Sequence, residues 1–342
     1  MPSPGSTAGP VLFVIGKWYG FRPGNPPSNH CHNLVGSLVS TGMAPHLVFP
    51  VDEITLTHGV GCDRALVDLC QRVRPALVVV GLSLAAAMFE RFLPRVETLR
   101  RLRRELGVPI VGVLGDTCRP GFMDLANAYA PGIDVFNVWD NYTVYQREAD
   151  DPAPYWPTWT PQDPRLFREA GVPRDVDVAF VGMRSSGPER SAALAALQDA
   201  GIQVTAIGGQ GDACVPIETL AATYQRARIV VNFAAVHGEV TACRGRVFEA
   251  TSCGALLVER SNEHTDRWLQ PGVHYAPWRD LDDLVATVRH HLGAEGRRAQ
   301  CARRGHEFVT AHWHAQAYWH ALLQFAAGVP LPQFGRHRLV PA

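Results

Sequence analysis

The chain has 342 residues, 46% of them apolar and 19% charged, with 32 basic side chains balanced by 32 acidic ones. That length exceeds what one hydrophobic core usually sustains and points to two domains of about 150 residues each. Zero net charge argues against a general nucleic-acid or polybasic membrane surface, and no run approaches the roughly 20 apolar residues that a membrane span requires.

The eight cysteines form no CxxC pair and no framework spacing, the pattern of a reduced, cytoplasmic protein. Met-Pro-Ser-Pro-Gly at the start lacks the basic stretch of a signal peptide. Lys17 is the sole lysine, and the one basic cluster, Arg100, Arg101, Arg103 and Arg104, falls on the polar side of a helix whose apolar side carries Leu99, Leu102 and Leu106.

In chain order, short apolar runs at 11–15, 47–51, 76–81, 110–114 and 133–138 read as buried parallel strands. Helical patterns begin between them near Asn29, Asp63, Met88 and Pro120, the alternation of a doubly wound sheet. At 151–174 the texture changes to a density of proline that no helix or central strand tolerates, and the segment reads as a linker. Alternation then restarts with strand 176–181, helix 188–200, strand 203–207, helix 217–226, strand 229–233, helix 245–253 and strand 255–258. A short helix near His264 and helices from Leu281, Arg297 and Ala315 complete the chain. The expected organisation is a Rossmann-like domain over 1–150, the linker over 151–174, a second Rossmann-like domain over 175–314, and a terminal segment over 315–342.

Ligands of open α/β sheets bind beyond the carboxyl ends of strands, so the residues just after each strand are the candidates. Gly182-Met183-Arg184 opens a glycine- and serine-containing turn that runs into a helix. Its backbone amides suit a phosphate, and Arg184 or Arg190 can add a charge-assisted contact; a solvated βα turn is the alternative. Gly208 and Gly209 let the backbone approach a flat ligand such as a base, or form a flexible loop. No GxGxxG dinucleotide fingerprint occurs.

The segment 232–258 is the most informative. A strand feeds a loop with His237, Gly238 and Glu239, then a helix carrying Arg246 and Glu249 one turn apart on one face. A carboxylate there suits ribose hydroxyls and an arginine near the helix start suits a diphosphate; the competing reading is a surface ion pair worth under about 1 kcal/mol.

In the N-terminal half, the loop over 16–29 contains Trp18, Tyr19 and Phe21, residues that either line a site or pack. Adjacent side chains in His30-Cys31-His32 point apart, which argues against a metal there. Asp116 follows the strand at 110–114. Asp116 or His30 is the candidate general base, and each has a competing role in capping or loop hydrogen bonding. Asp175-Val176-Asp177 enters a strand rather than leaving one, so no metal site is assigned to it.

The run Arg246-Val247-Phe248-Glu249-Ala250-Thr251-Ser252-Cys253-Gly254 resembles the R-x-F-E-x-x-x-x-G signature of CgeB-like glycosyltransferases, relatives of group 1 (GT4-type) enzymes. Asp177-Val178-Ala179-Phe180-Val181-Gly182 resembles that family's opening strand, Pro271-Gly272-Val273-His274-Tyr275 its later turn, and Gly305-His306-Glu307-Phe308-Val309 with His312 its ending. The match covers about residues 150–325.

The resemblance implies a GT-B architecture, two Rossmann-like doubly wound domains facing a cleft, with the terminal helix returning to the N-terminal domain. It implies transfer of a sugar from a nucleotide-sugar donor to an acceptor hydroxyl, without a metal or separate cofactor. Glu249 falls at the family's ribose carboxylate, and Arg184 and Arg246 fall near its diphosphate positions. One departure stands out: GT4 enzymes often carry a second glutamate eight positions earlier, where this chain has Thr241, with Glu239 nearest. A nucleotide-sugar epimerase or hydrolase on the same fold, and a degenerate binding or scaffold protein, are the alternative readings.

Overall fold

The structure is a computed structural model that describes residues 9–59, 61–82, 92–118, 121–141, 143–144, 154–184, 188–209, 214–237 and 240–332. The chain divides into two compact units: one runs to Thr158 and takes in the segment from Tyr318, and the other runs Trp159–Ala317.

The first unit is built on six parallel strands, β1 (Val11–Ile15), β2 (His46–Pro50), β3 (Leu77–Gly81), β4 (Ile110–Leu114), β5 (Val135–Val138) and β6 (Tyr155–Pro157), in the order β2-β1-β3-β4-β5-β6. Every residue of β1, β3, β4 and β5 is buried, which is why these strands read as unbroken apolar runs. The chain leaves β1 for β2 on one side and returns to β3 on the other, so the topological switch lies between β1 and β3.

Two features differ from expectation, and two expected helix starts are untested. The run at 47–51 is cut at Pro50, and Val51 opens a helix, Val51–His58, whose first turn carries Asp52 and Glu53, acids that suit a helix N-terminus. Tyr155–Pro157, inside the proline-rich segment, is a strand. It pairs with β5 alone, and at a sheet edge a proline deprives no neighbour of a hydrogen bond. The expected helix starts at Met88 and Pro120 lie outside the described residues, where the helices Val96–Leu106 and Phe122–Tyr129 follow.

The helix Ala315–Ala326 closes the first unit from Tyr318 onward. Tyr318 donates its hydroxyl to Asn137 Oδ1 at 2.6 Å, and Trp319 donates Nε1–H to Ser37 Oγ at 2.9 Å. The Trp319 ring meets Phe13 of β1 edge-on, with centroids 5.6 Å apart. Both aromatics are completely buried with their polar ends satisfied, the condition under which a core accepts them.

The second unit has five parallel strands and a hairpin. β7 (Val176–Val181), β8 (Val204–Ile207) and β9 (Ala227–Asn232) come first, then the hairpin of β10 (Ala235–His237) and β11 (Val240–Thr241), then β12 (Leu256–Arg260) and β13 (Ala276–Trp278). The sheet order is β13-β12-β9-β7-β8, which puts the switch between β7 and β9. Phe180, Phe233 and Trp278 run through the core, the first pair tilted and the second edge-on, at centroid distances of 5.3 and 5.9 Å. No helix among the described residues is long and apolar enough to cross a membrane.

Candidate functional site

At the switch of the second sheet, Gly182 follows β7 with φ of 141°, and a Cβ there would lie 3.2 Å from the guanidinium carbon of Arg246. Gly208 follows β8 with φ of 90°, and its Cβ would lie 3.1 Å from the Gly182 nitrogen. Both backbone conformations are ones that side chains other than glycine rarely adopt. Together the two glycines let neighbouring turns touch, with Gly182 N–H donating to Ile207 O at 2.8 Å, and leave room for an arginine above them.

Arg246 stands in the first turn of the helix Gly245–Ser252, entered from an extended Arg244. The side chain is half-buried. Its Nη1–H donates to Asn232 Oδ1 at 2.8 Å, and its guanidinium sits 5.9 Å from the centre of the Phe180 ring. A guanidinium has five N–H donors; those of Arg246 other than the one on Asn232 have no hydrogen-bond partner among the described residues.

Glu249, one turn along, does not close on Arg246. Its Oε2 accepts from the Tyr224 hydroxyl at 3.3 Å. Burial pushes the carboxyl up to about 7, against the opposing pull of the Arg246 charge and the Tyr224 hydrogen bond. The competing reading of a surface ion pair therefore does not hold: the two groups are held separately.

Two residues that sequence reasoning passed over complete the network. The parallel register sets Glu259 of β12 opposite Asn232 of β9. Asn232 Nδ2 donates to Glu259 Oε2 at 2.6 Å, and Asn262 Nδ2 donates to Oε1 at 3.4 Å. Glu259 is wholly buried, and burial pushes its carboxyl up to about 8. The signal for both was a polar residue directly after a run of buried apolar ones, Ile229–Val231 and Leu256–Val258.

The other candidates fall around this centre unevenly. Arg184 is exposed and donates Nη2–H to Ala206 O at 2.7 Å. Arg190 is buried and donates Nη1–H to Met183 O at 3.2 Å, bracing the turn from inside. Gly209 is half-buried beside Gly208. His237 ends β10, while Gly238 and Glu239 lie outside the described residues. Asp175 and Asp177 sit at the start of β7, the end opposite Gly182, where Arg226 and Arg228 bind them. Among the described residues no three His, Cys, Asp or Glu side chains cluster as metal ligands would.

In the first unit, His30 lies at the β1/β3 switch. Its ring takes the space above Gly81, where a Cβ would come within 2.7 Å of it. Burial pushes the imidazole down to about 4, so it is neutral at pH 7. Asp116 follows β4 half-buried, with a left-handed φ of 63°, a conformation that aspartate tolerates better than most residues and that recurs at functional sites. Next to it, Thr117 is fixed by its amide and hydroxyl to Asp140, each at 2.9 Å.

The loop after β1 is pinned by the buried Asp52, whose carboxylate accepts from the amides of Lys17 and Trp18 at 2.8 and 3.1 Å. Phe21 in that loop is a packing residue. It fills the space over Gly16 and tilts onto Phe92 with centroids 5.2 Å apart.

Residues 189–324 match a family model described as glycosyl transferase-like. Among solved structures, HepE from Anabaena in complex with UDP-glucose is similar over 93% of this chain and all of its own, with a TM-score of 0.64 at 11% identity. Sucrose-phosphate synthase from Thermosynechococcus elongatus is similar over 93% of this chain and all of its own, with a TM-score of 0.59 at 12% identity. A glycosyltransferase from Rickettsia africae covers 94% of this chain and 99% of its own, with a TM-score of 0.59 at 9% identity. No curated protein sequence matches the chain. The architecture, two α/β units on parallel sheets, is that of GT-B glycosyltransferases. The likeness to glycosyltransferases is thus one of sequence over residues 189–324 and one of fold over both units.

Proposed function

We propose that the donor binds at the β7/β9 switch, with Arg246 on the diphosphate and Glu249 on the ribose, and that the chain belongs to the CgeB-like branch of the group 1 glycosyltransferases. The observation that carries this reading is the half-buried Arg246 above two glycine turns, with one N–H on a neutral carboxamide and its other donors without a hydrogen-bond partner among the described residues. Breaking the bond between sugar and diphosphate develops negative charge on the leaving phosphate. A preorganised arginine and the first-turn amides of the Gly245–Ser252 helix stabilise that charge where it forms.

Ribose hydroxyls donating to Glu249 favour its ionised form and draw the titration near 7 downward. Gly208 and Gly209 leave the backbone open to the base, and exposed Arg184 extends the positive field over the phosphates.

With leaving-group charge met by arginine and amides, the transfer proceeds without a metal ion. Asp116, half-buried and in a left-handed conformation just past the carboxyl end of β4, is the base that takes the acceptor hydroxyl's proton. His30, depressed to about 4, is too weak a base to lead. The eight free cysteines suit a reducing compartment such as the cytoplasm. Glu249→Gln tests the site: calorimetry should read at least a tenfold loss of nucleoside diphosphate affinity with the fold intact, and unchanged affinity would remove Glu249 from the ribose.

A further inference from the structure

Arg246 and Glu249 are spaced i and i+3 on one helix face, where opposite charges ordinarily pair. Here they do not, although each is the other's nearest opposite charge by sequence. What holds Arg246 back is Asn232, and what holds Asn232 is Glu259. A carboxamide has a donor end and an acceptor end of almost the same shape, so its orientation follows from its neighbours. Glu259 Oε2 accepts from Nδ2 at 2.6 Å, which turns Oδ1 toward the Arg246 guanidinium at 2.8 Å.

We infer that Asn232 and Glu259 are positioning residues for the donor site: the carboxyl of Glu259 sets the carboxamide of Asn232, and the carboxamide holds Arg246 over Gly182 and apart from Glu249. This inference rests on the donor-site reading above and assigns the brace behind it. Without the brace, Arg246 closes on Glu249, and the two groups that would hold diphosphate and ribose neutralise each other.

The choice of a buried carboxyl fits the task. Both its ionised and its protonated forms accept from Nδ2, so the brace holds on either side of the titration near 8. Below that pH the carboxyl is mostly neutral and leaves the Arg246 charge for the ligand. The groups facing it are Asn232 from β9, Arg244 and Arg246 from the helix start, Glu189 from the helix Pro188–Asp199, Tyr275 from the turn before β13, and Asn262 from the loop after β12.

The test is a double-mutant cycle read by NMR titration, which reaches millimolar affinities, using whichever of UDP, GDP, ADP, CDP and dTDP binds the wild-type chain. Glu259→Leu should weaken that diphosphate at least tenfold, and Glu259→Gln, which keeps an acceptor, should stay within threefold of wild type. In an Arg246→Gln background, Glu259→Leu should cause no further loss, because the residue acts only through Arg246. Equal losses in both backgrounds would mean a general structural role and overturn the inference, as would wild-type affinity in Glu259→Leu. If that variant does not fold, Asn232→Ala enters the same cycle with the same expected pattern. Failure of all five diphosphates to bind the wild type would instead overturn the donor site, and the brace with it.

Discussion

Replacing Glu259 with glutamine should protect the protein on the alkaline side of neutrality. The Glu259 carboxyl titrates near 4.5 in an unfolded chain and near 8 in the fold, because burial disfavours its charged form. A folded value raised above the unfolded one contributes stability that is complete below about 4.5 and is lost as pH rises through about 8. At about 1.4 kcal/mol per pH unit, the loss between pH 6 and pH 9 comes to about 3 kcal/mol for this one group. Glu249, raised to about 7, has the same sign and loses most of its contribution by pH 7. His30, lowered to about 4, has the opposite sign and removes stability as pH falls from 6.5 toward 4.

Glutamine cannot ionise and retains the acceptor that Asn232 requires. Urea titrations followed by tryptophan fluorescence at pH 6, 7, 8 and 9 should therefore show the wild type losing about 3 kcal/mol more than Glu259→Gln across the range. Parallel curves for the two proteins would refute the assignment of a buried, neutral carboxyl at this position.

Asp116→Asn should lower turnover by two orders of magnitude or more while leaving donor affinity within threefold, since a base on the acceptor acts chiefly in the transition state; parallel losses of stability and affinity would show a purely structural aspartate. Activity should survive excess EDTA undiminished, and complete loss restored by manganese or magnesium would return attention to Asp175 and Asp177, whose arginine partners a metal would have to displace.

What could be read from the chain alone follows from how local each signal is. β1, β4, β7 and the helix Ile217–Arg226 have the bounds that their apolar patterns predict, because burial on both faces writes a strand as a continuous run. The helix Val51–His58 was hidden because Pro50 joins it directly to β2 with no loop between. β6 was hidden by Pro157, which an edge position accommodates, and β13 by having three residues.

The candidate site divides in the same way. Arg246 and Glu249 are legible because a helix brings residues three apart together. Asn232 and Glu259 are 27 positions apart, and only the parallel register of β9 and β12 makes them partners. By its sequence Phe21 suits lining a site as well as packing; the space over Gly16 that it fills makes it a packing residue.

The central claim, a nucleotide-sugar donor held by Arg246 and Glu249 at the β7/β9 switch, is tested most directly by thermal shift across nucleoside diphosphates and their sugar conjugates, on the wild type, Arg246→Gln and Glu249→Gln. A ligand present at 100 times its dissociation constant adds about 2.7 kcal/mol, a shift of roughly 5 to 10 °C for a unit of this size. The expected result is a clear shift of the wild type by one diphosphate and its sugar conjugates, sharply reduced in both variants. Equal shifts in all three proteins, or none in the wild type, would contradict the account.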